Sequence, residues 1–157
     1  MHELRMVKTR TTSLSSHPYA RAQVYEPAVK LIEKLDPDYA AGEYVVQFAY
    51  MNSPNHYVKC HIDNDVSYQY LLTLGDFRGA TLRAYTAANK SVHVDFAGNG
   101  CIVQFDGRLP HEVISDGFSG DRFTVIWYKH YDHRKQTRDD PLLETPRYVD
   151  ESTLHQA

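Results

Sequence analysis

Residues 101–130 read CIVQFDGRLPHEVISDGFSGDRFTVIWYKH. Three runs rich in apolar, β-branched and aromatic residues stand in this stretch, at 101–107, 110–115 and 122–130. Each is broken off by Gly, Asp or Pro, in DGRLP and then in SDGFSGD, so each reads as a short strand bounded by turns. Within the last run Arg122 and Thr124 alternate with Phe123, Val125 and Trp127. Side chains two apart on a strand share a face, so a cation and a hydroxyl look one way and a large apolar surface the other.

Upstream the texture is the same. AGNG precedes the first of these runs, and SVHVDFA (91–97), ATLRAYT (80–86), SYQYLLTL (67–74), HYVKCHI (56–62) and EYVVQFAYM (43–51) are five more strand candidates. Eight short strands at this spacing predict a mainly β protein, a double-stranded β-helix or jelly roll. Before them EPAVKLIEKLDP places Ala28, Leu31, Ile32 and Leu35 at i, i+3, i+4 and i+7, with Pro27 in the first turn and Pro37 as a stop. That is one face of a helix, so one or two helices are expected near the N-terminus, packed on an outer sheet face. Residues 1–16 are polar and end in TTSLSS, which predicts a flexible arm. Residues 17–130 form the predicted domain, and 131–157 a polar tail, docked or acting as a lid.

The chain has 157 residues and a net charge of −3, which suits one globular domain and gives no basic field for nucleic acid. Cys60 and Cys101 show no metal-type pairing and read as free thiols. With no apolar leader and no long apolar run, the expectation is a cytoplasmic protein without a membrane span; oligomeric state is left open. KHYDHRKQTR (129–138) is locally basic with aromatics and reads as a solvated exit from the last strand, with a nucleic-acid contact as the alternative.

Three H-x-D pairs occur, His61–Asp63, His93–Asp95 and His130–Asp132. In a chain with nine histidines the pair alone means little. Strand order separates the three. His61 and Asp63 end one strand, His111 opens a later one and Arg122 opens the next, so a jelly roll can bring them together at one mouth. Two imidazoles and one carboxylate on one face of a metal form the triad of non-haem Fe(II) oxygenases. The other two pairs have no such partners downstream.

HID, GATLRAY, CIVQFDGRLPHEV and GDRFTVIWY together resemble the Fe(II)/2-oxoglutarate-dependent dioxygenases, most of all the prolyl-hydroxylase type, with some similarity to the branch that oxidises methylated DNA bases. His111 follows Asp63 by 48 residues and Arg122 follows His111 by 11, similar to that family's pattern. The resemblance implies that His61, Asp63 and His111 hold Fe(II) and are the catalytic centre. It implies that 2-oxoglutarate meets Arg122, Thr124, Tyr50 and either Thr73 or, after a register shift, Tyr70. Thr73 stands where many of these enzymes have tyrosine, and RGAT (78–81) where they often have paired glycines. The implied reaction is hydroxylation of a C–H bond by O2, with 2-oxoglutarate decarboxylated to succinate and CO2 and ascorbate as reductant. The implied substrate is a peptidyl residue such as proline. A methylated nucleobase, a small metabolite and a non-catalytic jelly-roll binding module are the alternatives.

Overall fold

The computed structural model describes residues 2–8, 25–55, 58–131, 139–143 and 145–149. Ten strands and two helices stand among them. In chain order they are β1 (His2–Lys8), α1 (Glu26–Leu35), α2 (Pro37–Ala41), β2 (Tyr44–Met51), β3 (Val58–His61), β4 (Gln69–Arg78), β5 (Thr81–Tyr85), β6 (His93–Ala97), β7 (Ile102–Phe105), β8 (His111–Ile114), β9 (Ser119–Tyr128) and β10 (Arg147–Val149). All eight expected strands are present, as β2 to β9. They form two antiparallel sheets, β1-β2-β9-β4-β7-β10 and β3-β8-β5-β6, consistent with a jelly roll.

Strand alternation gives the larger sheet two apolar faces. Met51, Leu71, Val103 and Phe105 point inward and meet Leu82, Ala84, Phe96 and Val113 of the smaller sheet. Val46, Tyr70 and Trp127 point outward and are covered by Ala28 and Ile32 of α1. Trp127 is fully buried there, and its indole N–H donates to the Ala28 carbonyl at 3.0 Å.

Tyr39, Tyr68 and Tyr70 pack in the helix-side cluster with their hydroxyls hydrogen-bonded. Asp36 organises them. It caps α2 by accepting the Tyr39 backbone N–H at 3.0 Å, and its other oxygen accepts the Tyr68 and Tyr70 hydroxyls at 2.9 and 2.7 Å. The Tyr39 hydroxyl donates to the carbonyls of Tyr68 and Trp127. Asp36→Ala removes a helix cap and the acceptor of two phenols together. The expected loss is roughly 2–4 kcal/mol of unfolding free energy, read from urea denaturation. A loss below about 0.5 kcal/mol would mean that the hydroxyls find other acceptors.

One expectation changes at the termini. The flexible arm expected over residues 1–16 contains β1, paired with β2 from His2↔Tyr50 to Lys8↔Tyr44. Leu4 and Met6 alternate with Glu3 and Arg5, a strand pattern diluted by charge. The remainder of that arm lies outside the described residues. In the tail, residues 145–149 are docked: β10 adds to β7 through Arg147↔Gln104, and Arg147 donates to the Gln104 side chain at 2.7 Å. Residues 139–143 are held by Arg108, which donates to the Asp140 and Pro141 carbonyls at 2.6 and 3.1 Å. Arg108 is itself fixed by Asp106, whose side chain is fully buried. No helix among the described residues is long and apolar enough to cross a membrane.

Candidate metal and cosubstrate site

Between the sheets lies a cavity of about 350 Å³, with His61, Asp63 and His111 in its wall at one end of the fold. His61 and His111 are cross-strand partners on β3 and β8, with ring centroids 4.3 Å apart. The β3–β8 register shifts between Val58 and His61. Residues three apart on a regular strand face opposite ways, yet both Val58 and His61 line the cavity. The irregularity turns His61 inward, a common use of a β-bulge beside a functional site.

The ligand atoms converge. Asp63 Oδ1 lies 3.2 Å from His61 Nε2, and Asp63 Oδ2 lies 3.3 Å from His111 Nε2. Two donors at right angles, each about 2.1 Å from one ion, stand about 3 Å apart. Each ring also approaches a backbone carbonyl through Nδ1, that of Lys59 at 2.7 Å for His61 and that of Leu109 at 2.9 Å for His111. A proton on Nδ1 leaves the Nε2 lone pair for a metal. Among the described residues this is the one such group of His, Cys, Asp or Glu. Burial disfavours the Asp63 carboxylate, but hydrogen bonding from His111, with the charges of His111 and His61, holds its pKa below the ordinary range. Burial likewise opposes a charge on His111, and its bonds to Asp63 and Leu109 raise its pKa nonetheless.

Asp63 is also positioned by Gly107 and Gln69. Its backbone N–H donates to the Gly107 carbonyl at 2.7 Å, and Gln69 Nε2 approaches Oδ2 at 3.4 Å. Gly107 fits because it has no side chain: a Cβ there would collide with the Gln69 amide and lie 2.8 Å from Asp63 Oδ2. Gly107→Ala is therefore expected to displace both groups and weaken Fe(II) binding by roughly 10–100-fold, the usual consequence of disturbing a ligand's support. Anaerobic metal titration checks this; unchanged affinity would mean that the β7–β8 loop absorbs the methyl group.

Arg122 and Thr124 lie on the inward face of β9, in the same cavity, and both are buried. No acidic partner meets the Arg122 guanidinium among the described residues, and its Nε has no hydrogen-bond partner. Burial alone pushes its pKa down to about 10. Opposite Arg122 stands Gly75, at φ +116°, where a Cβ would collide with the Asp121 carbonyl.

The other expected cosubstrate contacts fare differently. Tyr50 is on the wrong face. Gln47, Ala49 and Met51 line the cavity, so alternation turns Tyr50 outward, where it stacks on Phe123 at 4.8 Å and donates to Asp121. Thr73 is buried opposite Thr124 but does not line the cavity. Tyr70 lies under the helices, bound to Asp36 and receiving a hydrogen bond from Gln104. Phe123 shares the outward face with Val125 and Trp127 but is largely exposed.

The other H-x-D pairs are not in the cluster. His93 lies on the exposed surface of β6, 3.8 Å from Asp95, which Arg83 holds through two hydrogen bonds. His130 lines the cavity but is not one of the clustered ligands, and Asp132 lies outside the described residues. In the basic stretch that follows, Lys129 is half-buried with its ammonium 4.3 Å over the Tyr39 ring, and 132–138 lie outside the described residues.

Sequence reasoning missed Gln69, Gly107 and Asp65. Gln69 could have been found as a polar residue at an inward strand position of SYQYLL; Gly107 and Asp65 carry no local signal. Asp65 also lines the cavity. Burial, followed by repulsion from Asp63, pushes its pKa up to about 7.

No protein-family model matches the chain, and no curated protein matches it. Solved structures do. A 2OG-Fe(II) oxygenase family oxidoreductase from Burkholderia pseudomallei superposes with TM-score 0.53 at 14% identity, covering 80% of this chain and 64% of its own. The chain thus spans somewhat less than two thirds of that structure. A Pseudomonas putida prolyl-4-hydroxylase gives TM-score 0.47 at 19% identity, over 83% of this chain and 73% of its own. NgTET1 in complex with 5mC DNA gives 0.46 at 18%, over 87% and 51%. The first shows a shared fold, a jelly roll like that of this oxygenase, and here the fold carries a His-Asp-His group.

Proposed function

We propose that this chain is an Fe(II)/2-oxoglutarate-dependent dioxygenase that hydroxylates a C–H bond of an organic substrate, with a peptidyl residue as the substrate class that the sequence favours. The observation that carries the reading is the pairing, in one cavity, of a three-ligand metal cluster with a buried arginine that has no acid of its own. A metal-binding module has no use for the second feature. A dicarboxylate cosubstrate needs both, since one end chelates a metal and the other requires a cation.

The residues fit the absent groups. His61, Asp63 and His111 would hold Fe(II), leaving positions free for 2-oxoglutarate and O2. When bound, iron and 2-oxoglutarate supply the oxidising chemistry, and 2-oxoglutarate leaves as succinate and CO2. Arg122 presents a planar fork that matches a carboxylate, and Thr124 offers a hydroxyl two residues along the same face. Leu71, Leu82, Phe105, Val113 and Ile126 line the space between and keep water out.

Anaerobic titration with Fe(II) and then 2-oxoglutarate, followed by succinate measurement in air, tests the reading. Saturable 2-oxoglutarate binding that depends on Fe(II) is expected. Full turnover with Zn(II) as the only metal would refute an oxygenase, because Zn(II) has no redox chemistry.

A further inference from the structure

We propose that Asp65 binds an aliphatic ammonium group of the substrate at the mouth of the cavity, so that the carbon oxidised belongs to an amine, either a lysyl side chain or a free alkylamine. The inference rests on the oxygenase reading above and names the substrate chemistry for the same site.

Asp65 lines the cavity, yet its side chain is only 2% exposed. Its Oδ2 has no hydrogen-bond partner, and the nearest cationic candidate, His130 Nδ1, is 3.7 Å from Oδ1, beyond hydrogen-bonding distance. A carboxyl group shielded from water and left without a donor is costly, and proteins rarely retain one without use. Its neighbours cannot satisfy it. The donors nearby are engaged elsewhere, Arg108 with Asp106, and His111 and Gln69 with Asp63.

Position separates Asp65 from the cosubstrate. Asp65 forms an isolated bridge with His130, just beyond the end of β9, whereas Arg122 stands near the start of that strand. The two therefore stand toward opposite ends of β9, and Asp65 is not the partner of Arg122. Charge points the same way. With iron and 2-oxoglutarate in place, the metal and Arg122 are balanced by Asp63 and the dianion. The carboxyl of Asp65 then lacks a counter-charge, and an ammonium ion supplies one. Tyr128 and His130, with ring centroids 6.4 Å apart, also line the cavity, and aromatic faces beside a carboxyl suit a cation more than a neutral group. The expectation of a prolyl substrate narrows accordingly, because a peptidyl proline offers no N–H.

The test is calorimetric titration under argon, with Fe(II) present and with or without 2-oxoglutarate. The probes are two blocked pentapeptides differing only in a central lysine or norleucine, and 1-aminopentane against 1-pentanol. Wild-type protein is expected to bind an ammonium probe about tenfold or more tighter than its neutral counterpart, the usual worth of a hydrogen bond to a charged group. In Asp65→Asn, with folding checked by circular dichroism, the ratio is expected to fall to within about twofold. A preference confined to the peptide pair identifies a lysyl substrate, and one confined to the alcohol–amine pair a free amine. Equal binding of ammonium and neutral probes by wild type, binding of neither, or a preference that survives in Asp65→Asn overturns the proposal. Failure of wild type to bind 2-oxoglutarate overturns the oxygenase reading instead, and the probe ratio without cosubstrate still decides the role of Asp65.

Discussion

His61→Ala and His111→Ala are expected to lose Fe(II) binding by a hundredfold or more, while His93→Ala and His130→Ala bind iron like the parent. Each of the first pair supplies one of three ligands, and disturbing a ligand's support alone costs roughly 10–100-fold. The comparison is informative because three of the four histidines belong to an H-x-D, so local sequence cannot separate them. The surroundings can. His61 and His111 face each other across β3 and β8 with their Nε2 atoms on Asp63. His93 faces solvent, and Asp95 beside it is already engaged by Arg83. Its removal should change stability by no more than about 0.5 kcal/mol. His130 lines the cavity but lies outside the cluster, so its removal touches the wall and not the metal. Anaerobic titration monitored by equilibrium dialysis decides the matter. Iron retained by His61→Ala and lost by His93→Ala would place the metal on the far face of the smaller sheet.

What the sequence made legible was set by punctuation and alternation. Gly, Asp and Pro clusters mark the ends of β2 to β9, so eight strands could be read without any knowledge of their pairing. β1 and β10 could not. The alternation of Leu4 and Met6 is masked by charged neighbours, and Arg147–Val149 is a strand only because β7 offers an open edge. Long-range pairing also set the limits at the site. His61, Asp63, His111 and Arg122 come together because strand order brings them there, and that order could be inferred. The bulge that turns His61 inward depends on the register of β3 against β8, which no local pattern reveals. Tyr50 was misplaced for an avoidable reason. Met51 faces the core, and a neighbour in an extended strand faces away from it. Asp65 reads as the second aspartate of a polar turn, and only the fold shows that the turn is closed over by residues 129–131.

Arg122→Met is expected to have opposite effects on the empty and the loaded protein, and the sign of each follows from burial. In the empty cavity the guanidinium has no acid beside it, its Nε is unsatisfied, and burial alone lowers its pKa to about 10. It remains charged at neutral pH and is held out of water with the Phe77 ring 6.0 Å away but no acid to pair with it, an arrangement that destabilises the fold. Methionine fills similar space without charge, so the empty variant should be more stable, by roughly 1–2 kcal/mol. The loaded protein should suffer. Removing one partner of a buried, hydrogen-bonded charge pair costs about 2–5 kcal/mol, which lowers 2-oxoglutarate affinity by roughly 30-fold to several thousandfold. Arg122→Lys should fall between, because a single ammonium keeps the charge but not the fork. Thermal melts under argon separate the two effects. Fe(II) with 2-oxoglutarate should raise the melting temperature of wild type, as any ligand of the folded state does, and should add almost nothing beyond Fe(II) alone to Arg122→Met. The empty variant should melt above empty wild type. If it melts lower and still gains stability from 2-oxoglutarate, Arg122 is a packing residue of β9 and the cosubstrate's carboxylate is held elsewhere. A stabler empty protein that no longer responds to the dicarboxylate would mean that the fold retains an uncompensated charge at Arg122 for the sake of its ligand.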